Sequence, residues 1–80
     1  MKNNKKSCFA TERRQKMLGA NIKRARTRKG LTQAELAGEV GVTKAAIYYY
    51  ETGMKTPSLA TITTISRVLD VTIDELVKDI

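Results

Sequence analysis

At 80 residues, the chain has room for one small domain and no separate sensing or catalytic unit, because chains this short bury only about 60 to 65% of their unfolded surface. It is 41% hydrophobic and 29% charged, which excludes compositional disorder, and no apolar run approaches the roughly 20 residues of a membrane span. The basic N-terminus lacks the apolar stretch of about 7 to 15 residues that an export signal carries, so a soluble, cytoplasmic protein is expected. The single cysteine, Cys8, excludes an intramolecular disulfide and suits a reducing compartment. The net charge of +7 is uneven: residues 1–30 carry eleven Lys and Arg against Glu12, a net +10, whereas residues 31–80 carry four against seven acids, a net −3. Such asymmetry points to a polyanion met at one end of the chain, or to a basic tail that is only solvated.

Five helices and no strand are expected. From about Met17 to Lys29, Leu18, Ile22 and Ala25 fall at helical spacing, and Gly30 stands where a helix end favours glycine. In "LTQAEL" Thr32 caps a second helix that begins at Gln33, with Glu35 completing the capping box and Leu31 and Leu36 forming the hydrophobic staple. Gly41 is placed to end it. Thr43 caps a third helix, with Val42 and Ile47 as its staple, running to Gly53. The segment "MKTPS" is a turn, since proline biases the residue before it away from helix. Ser58 caps a fourth helix with Leu59, Ile62, Ile65 and Leu69 expected to face inward. "VTIDEL" then repeats the second helix's device: Thr72 and Glu75 form the box, Val71 and Leu76 the staple, and Leu76 with Ile73 covers the core.

Two short helices joined by a tight glycine turn across "GEVGVT" make a helix-turn-helix arrangement. The stretch "LTQAELAGEVGVTKAAIYYYETG", preceded by "IKRAR" and followed by "TPSL" and "VTIDEL", resembles the DNA-binding unit of the phage repressor and Cro type, the XRE family. The match runs from about Leu18 to Leu76. The resemblance implies an all-α, five-helix, lambda-repressor-like domain over residues 17–80; residues 1–16 lie outside it and are expected to form a basic arm that is partly disordered or extends helix 1.

The third helix places Ile47, Tyr50 and Glu51 on one side, with Ala46 at its border, and Lys44, Ala45, Tyr48 and Tyr49 on the other. Ile47 pairs with Val42, so Tyr50 turns inward and Tyr48 and Tyr49 face out. Two adjacent exposed tyrosines suggest either a partner or packing against the rim of a neighbouring segment. The resemblance implies that the outer face enters the DNA major groove. There Lys44 is expected to donate to guanine O6 and N7, Ala45 to approach a thymine methyl, and Tyr48 and Tyr49 to contact bases or phosphate. Relatives usually carry polar or basic residues at the positions of Ala45, Tyr48 and Tyr49, so readout here is expected to lean on apolar contact and DNA shape.

Phosphate contacts are expected from Gln33, where the resemblance implies a glutamine anchor at a helix N-terminus, and from Thr43, Lys55, Lys23 and Arg28. Residues 31–53 hold Glu35, Glu39 and Glu51 against Lys44 alone, a net −2. The electrostatic part of binding is therefore assigned to helix 1 (Lys23, Arg24, Arg28, Lys29) and to the arm (Lys2, Lys5, Lys6, Arg13, Arg14, Lys16). The resemblance also implies an ion pair between Arg26 and Glu51. A single unit makes few contacts, so a homodimer on a palindromic site is expected, with Val77 and Ile80 at the interface.

An enzyme is not expected: the chain has no histidine, one cysteine and no Gly-rich phosphate loop, and its acids cap helices. The same counts argue against zinc, and no cofactor, small-molecule effector domain or membrane partner is expected. A transcriptional regulator, with repression the commoner case in the family, is the leading expectation. The alternative is a protein-interaction module, such as an antitoxin or adaptor, on the same fold.

Overall fold

The computed structural model describes residues 3–78, with side chains described from residue 12 onward. Lys2 and Ile80, and the side chains of Lys5, Lys6 and Cys8, lie outside the described residues. Five helices follow one another: α1 (Asn3–Lys29), α2 (Gln33–Val40), α3 (Lys44–Thr52), α4 (Leu59–Leu69) and α5 (Ile73–Val77). There is no strand among the described residues. The longest dimension, 42 Å, is close to the roughly 40 Å that α1 alone spans at 1.5 Å per residue.

Helix α1 starts well before the Met17 at which its apolar spacing begins. The preceding stretch contains neither Gly nor Pro and is rich in Lys, Arg, Glu, Gln and Ala, which favour helix without any core to face. Periodicity finds only the part of a helix that is packed. Here that part starts near Gln15, whose side-chain amide donates to the Thr56 hydroxyl, while Glu12, Arg13 and Arg14 are exposed.

The core joins all five helices: Leu18, Ile22 and Ala25 of α1, Leu36 and Ala37 of α2, Ile47 of α3, Ile62, Ile65 and Leu69 of α4, and Leu76 of α5. Ile22, Leu36, Ile47, Ile65 and Leu76 are the largest fully buried side chains, each stabilising the fold by about 1.5 to 3 kcal/mol. Leu31, Val42 and Val71, the residues just before three helix caps, pack against this core with Tyr50. Both capping boxes are formed: Thr32 with Glu35, and Thr72 with Glu75.

Two apolar residues depart from expectation. Leu59 is 76% exposed; it is the first residue of α4, and the buried Pro57 fills the edge of the core ahead of it. The inward face of α4 is instead Ile62, Ile65, Ser66 and Leu69. Ile73 is also exposed, because α5 is only five residues long and a helix of little more than one turn directs one side chain, Leu76, squarely inward.

The first four helices end in one device. The N–H of Leu31, Val42, Met54 and Val71 donates back five residues, to Arg26, Ala37, Tyr49 and Ser66, a Schellman-type closure. Each closure needs a left-handed residue just before it. Gly41 supplies it at φ 88° in the helix-turn-helix turn, and Asp70 supplies it at φ 57° after α4, a conformation that Asp tolerates better than most L-residues.

Helix α1 acts as the spine through two residues that apolar periodicity passes over. Asn21 is buried and its side-chain amide donates to the carbonyls of Leu76 at 2.8 Å and Lys78 at 3.2 Å. It thereby satisfies carbonyls that a helix C-terminus leaves without intrahelical partners. Gly19 lies against the end of α3, where an added Cβ would stand 2.3 Å from the Tyr50 carbonyl oxygen and 2.6 Å from that of Glu51. On an exposed helix, Gly→Ala gains about 1 kcal/mol. At this crossing the collision is with backbone, so Gly19→Ala is expected to destabilise the domain by about 1 to 3 kcal/mol. Urea unfolding checks this, and an unchanged or raised midpoint would show that the crossing is loose.

Candidate nucleic-acid interface

The arrangement of α2 and α3 is fixed by a buried carboxylate. Glu51, in the last turn of α3, is 8% exposed. Its Oε2 accepts from Arg26 Nε at 2.6 Å, and its Oε1 accepts from Arg26 Nη2 at 3.1 Å and from Gln33 Nε2 at 3.0 Å. Arg26 also donates through Nη1 to the Leu31 carbonyl at 2.8 Å. One side chain of α1 thus holds the α1–α2 turn and the end of α3, while the first residue of α2 closes onto the same carboxylate. No buried side-chain nitrogen or oxygen among the described residues lacks a partner.

With Ile47 and Glu51 turned inward, the opposite face of α3 is set. Lys44, Ala45 and Tyr48 are exposed, Tyr48 at 49%, and Tyr49 is half-buried beside them. The two rings meet edge-on, with centroids 5.9 Å apart and planes at 62°. Lys55 places its Nζ 5.2 Å from the centre of the Tyr49 ring. At the other end of α3 the Thr43 hydroxyl accepts from the Ala46 N–H at 3.0 Å.

The remaining expected residues fall into separate groups. Gln33 stands in the first turn of α2, where backbone N–H groups have no intrahelical partners, but its side chain is engaged by Glu51. Lys23 is exposed on α1, where it lines a shallow groove with Ala20, Arg24, Thr27 and Arg28. Arg28 also borders, with Lys29, a second groove against Leu69, Asp70, Val71 and Glu75, on the α4–α5 side of the bundle. Val77 is 37% exposed. The hydrogen bond from Gln33 to Glu51 and the contact of Lys55 with the Tyr49 ring are not legible in sequence, because each depends on how the folded chain brings its residues together. Among the described residues there is no group of three or more His, Cys, Asp or Glu able to hold a metal, and no helix long and apolar enough to cross a membrane.

These features define a five-helix, lambda-repressor-like helix-turn-helix domain. The family described as Helix-turn-helix (HTH_3) matches residues 22–76, and the chain belongs to that family, of the XRE type. It is similar to YqaE of Bacillus subtilis (strain 168), named an uncharacterized HTH-type transcriptional regulator. The two are 40% identical over 62 residues, covering 78% of this chain and 53% of that protein. The chain spans about half the length of the first curated relatives it matches. Among solved structures it is similar to the P22 c2 repressor in complex with a synthetic operator, with a TM-score of 0.74 and 29% identity over 78% of this chain and 94% of that one. It is likewise similar to SinR, described as the master regulator for biofilm formation, in complex with DNA: TM-score 0.71 and 38% identity over 75% of this chain and 97% of that one.

Removing one partner of a buried, hydrogen-bonded ion pair strands the other. Glu51→Ala is therefore expected to cost about 3 to 5 kcal/mol, and the double replacement Arg26→Met with Glu51→Leu to cost less than Glu51→Ala alone. Urea unfolding of the two variants against the wild type measures this; equal losses would mean that Arg26 finds solvent when Glu51 is gone.

Proposed function

We propose that this domain is a sequence-specific reader of double-stranded DNA and a transcriptional regulator, inserting α3 into the major groove of an operator. The observation that carries the reading is the division of α3 into two faces: Ile47 and Glu51 are locked inward, while Lys44, Ala45 and Tyr48 form an open surface. A helix of about 10 to 12 Å diameter fits a groove about 12 Å wide. The similarity to the P22 c2 repressor on a synthetic operator and to SinR with DNA supports the same reading. Lys44 suits guanine, and Ala45 and Tyr48 suit thymine methyls and the groove wall. Phosphates are taken by Lys55, Thr43, Lys23 and the first turn of α2 at Gln33. Arg28, which shares an α1 groove with Lys23 and also borders α4 and α5, stands at the edge of this set. The basic first half of α1 supplies further electrostatic attraction.

A single unit of this size presents few base contacts, so we assign it a twofold partner on a palindromic site, with half-sites about 34 Å apart. Exposed Val77, joined by Ile73, offers apolar surface for that pairing at the α5 end. Repression is the favoured outcome, since occupying an operator requires nothing beyond binding, and such a regulator works in the cytoplasm.

Selection from a randomised duplex pool at two salt concentrations tests the proposal. The wild type is expected to recover a palindrome, and Lys44→Ala to relax preference at one position of each half-site by about 1 to 3 kcal/mol with little change in overall fold by circular dichroism. Weak binding without sequence preference would instead favour a protein partner for the face that carries Tyr48.

A further inference from the structure

Tyr49 is expected from sequence to touch bases, but its surroundings are those of a support. Its ring is half-buried, whereas that of Tyr48 is the exposed one. The turn between α3 and α4 is tied to Tyr49 twice over. The Tyr49 carbonyl accepts from the N–H of Met54 at 2.9 Å and of Lys55 at 3.2 Å, and the Lys55 ammonium stands 5.2 Å from the centre of the Tyr49 ring. The other side of the same turn is closed by α1. Gln15 donates to the Thr56 hydroxyl, and Gly53 lies so near Lys16 that a Cβ there would stand 2.8 Å from Lys16 Cγ. Backbone and charged tip of Lys55 are therefore both located, on a turn held from two sides.

We propose that Tyr49 is a positioning residue: its ring is a platform that holds the Lys55 ammonium at the C-terminal end of α3, ready for a backbone phosphate, and base reading by tyrosine falls to Tyr48. A ring face attracts a cation through its quadrupole and takes up no more than one side of the ammonium. The remaining donors of the three that lysine carries stay available to an anion. Such a site matters because residues 31–53 carry a net −2 with Lys44 as their one cation; Lys55 is the next positive charge along the chain. The inference rests on the reading that α3 occupies the major groove.

The test uses the operator recovered by the wild type and measures Kd against salt for Tyr49→Phe, Tyr49→Leu, Lys55→Gln and the double variant Tyr49→Leu/Lys55→Gln, with Tm recorded for each. Tyr49→Phe keeps the ring and is expected to match the wild type in affinity, salt slope and base preference. Lys55→Gln is expected to make the slope shallower by about 1, the value of one phosphate contact. Tyr49→Leu is expected to weaken binding roughly two- to fivefold, the usual worth of an exposed cation–ring contact, with a shallower slope and unchanged preference. The double variant is expected to bind no worse than Lys55→Gln. Loss of base preference in Tyr49→Phe, or additive losses in the double variant, would overturn the assignment. Proton NMR of the free protein gives a second readout: the Lys55 Hε signals are expected to be shifted upfield by the ring, and to return to ordinary positions in Tyr49→Leu. A wild type that selects no sequence would sink the DNA reading, and unshifted Hε signals would sink the platform regardless of that result.

Discussion

The fold turns on the carboxylate of Glu51. It is the last inward-facing residue of α3, it is nearly shielded from water, and it accepts hydrogen bonds from α1 through Arg26 and from α2 through Gln33. A charge in that position is tolerable only with its partners in place. The pair is also weak evidence for net stability, because withdrawing two ions from water costs about as much as their attraction returns. Its value lies in direction. Apolar contact between α2 and α3 would permit small rotations of one helix on the other; three hydrogen bonds converging on two oxygens permit very few. Whatever faces outward from α3 is therefore held in one orientation.

The same logic explains why the close approach of α1 and α3 falls where it does. Gly19 lets α1 come against the carbonyls of Tyr50 and Glu51, which brings Arg26, two turns further along, within reach of the carboxylate. A larger residue at position 19 would push apart the two helices that Arg26 must bridge. Asn21, on the same helix, fastens the far end of the domain by taking the carbonyls at the close of α5. So three polar or small residues of α1 set its relation to α3 and α5, while Leu18, Ile22 and Ala25 between them supply the apolar area.

Much of this was legible before any coordinates. Capping boxes and staples are local devices: Thr32 with Glu35, and Val42 with Ile47, act within a few residues, so their spacing suffices. The division of α3 into an inward Ile47, Tyr50 and Glu51 and an outward Lys44, Ala45, Tyr48 and Tyr49 follows from 100° steps, which do not show that Tyr49 is half-buried. The reading weakened where the cause was distant. Asn21 looks like an ordinary polar interruption of an apolar stripe until α5 arrives opposite it. Gly19 looks like a weak helix residue until α3 crosses it. Leu59 reads as core because it is apolar and near the right phase, yet as the first residue of α4 it stands outside the buried face of Ile62, Ile65, Ser66 and Leu69. The first half of α1 escaped a search for periodicity because a helix with no core to face has no apolar stripe.

The charge distribution separates two tasks that a DNA reader must perform. The unit that would meet bases is net negative, and one of its three acids, Glu51, is consumed internally as the structural node, leaving Glu35 and Glu39 against Lys44 at the surface. Glu35 in turn is occupied by its capping box. Cations are concentrated on α1, which packs as part of the scaffold and lies outside the helix-turn-helix pair. On the proposed reading, attraction to a polyanion would come mainly from this long, basic helix, and discrimination from a nearly neutral face that attracts little by itself. Binding at low salt would then be governed by α1 and nearly blind to sequence. As salt screens that attraction, the proposed contacts of α3 would account for a growing share of the remaining affinity.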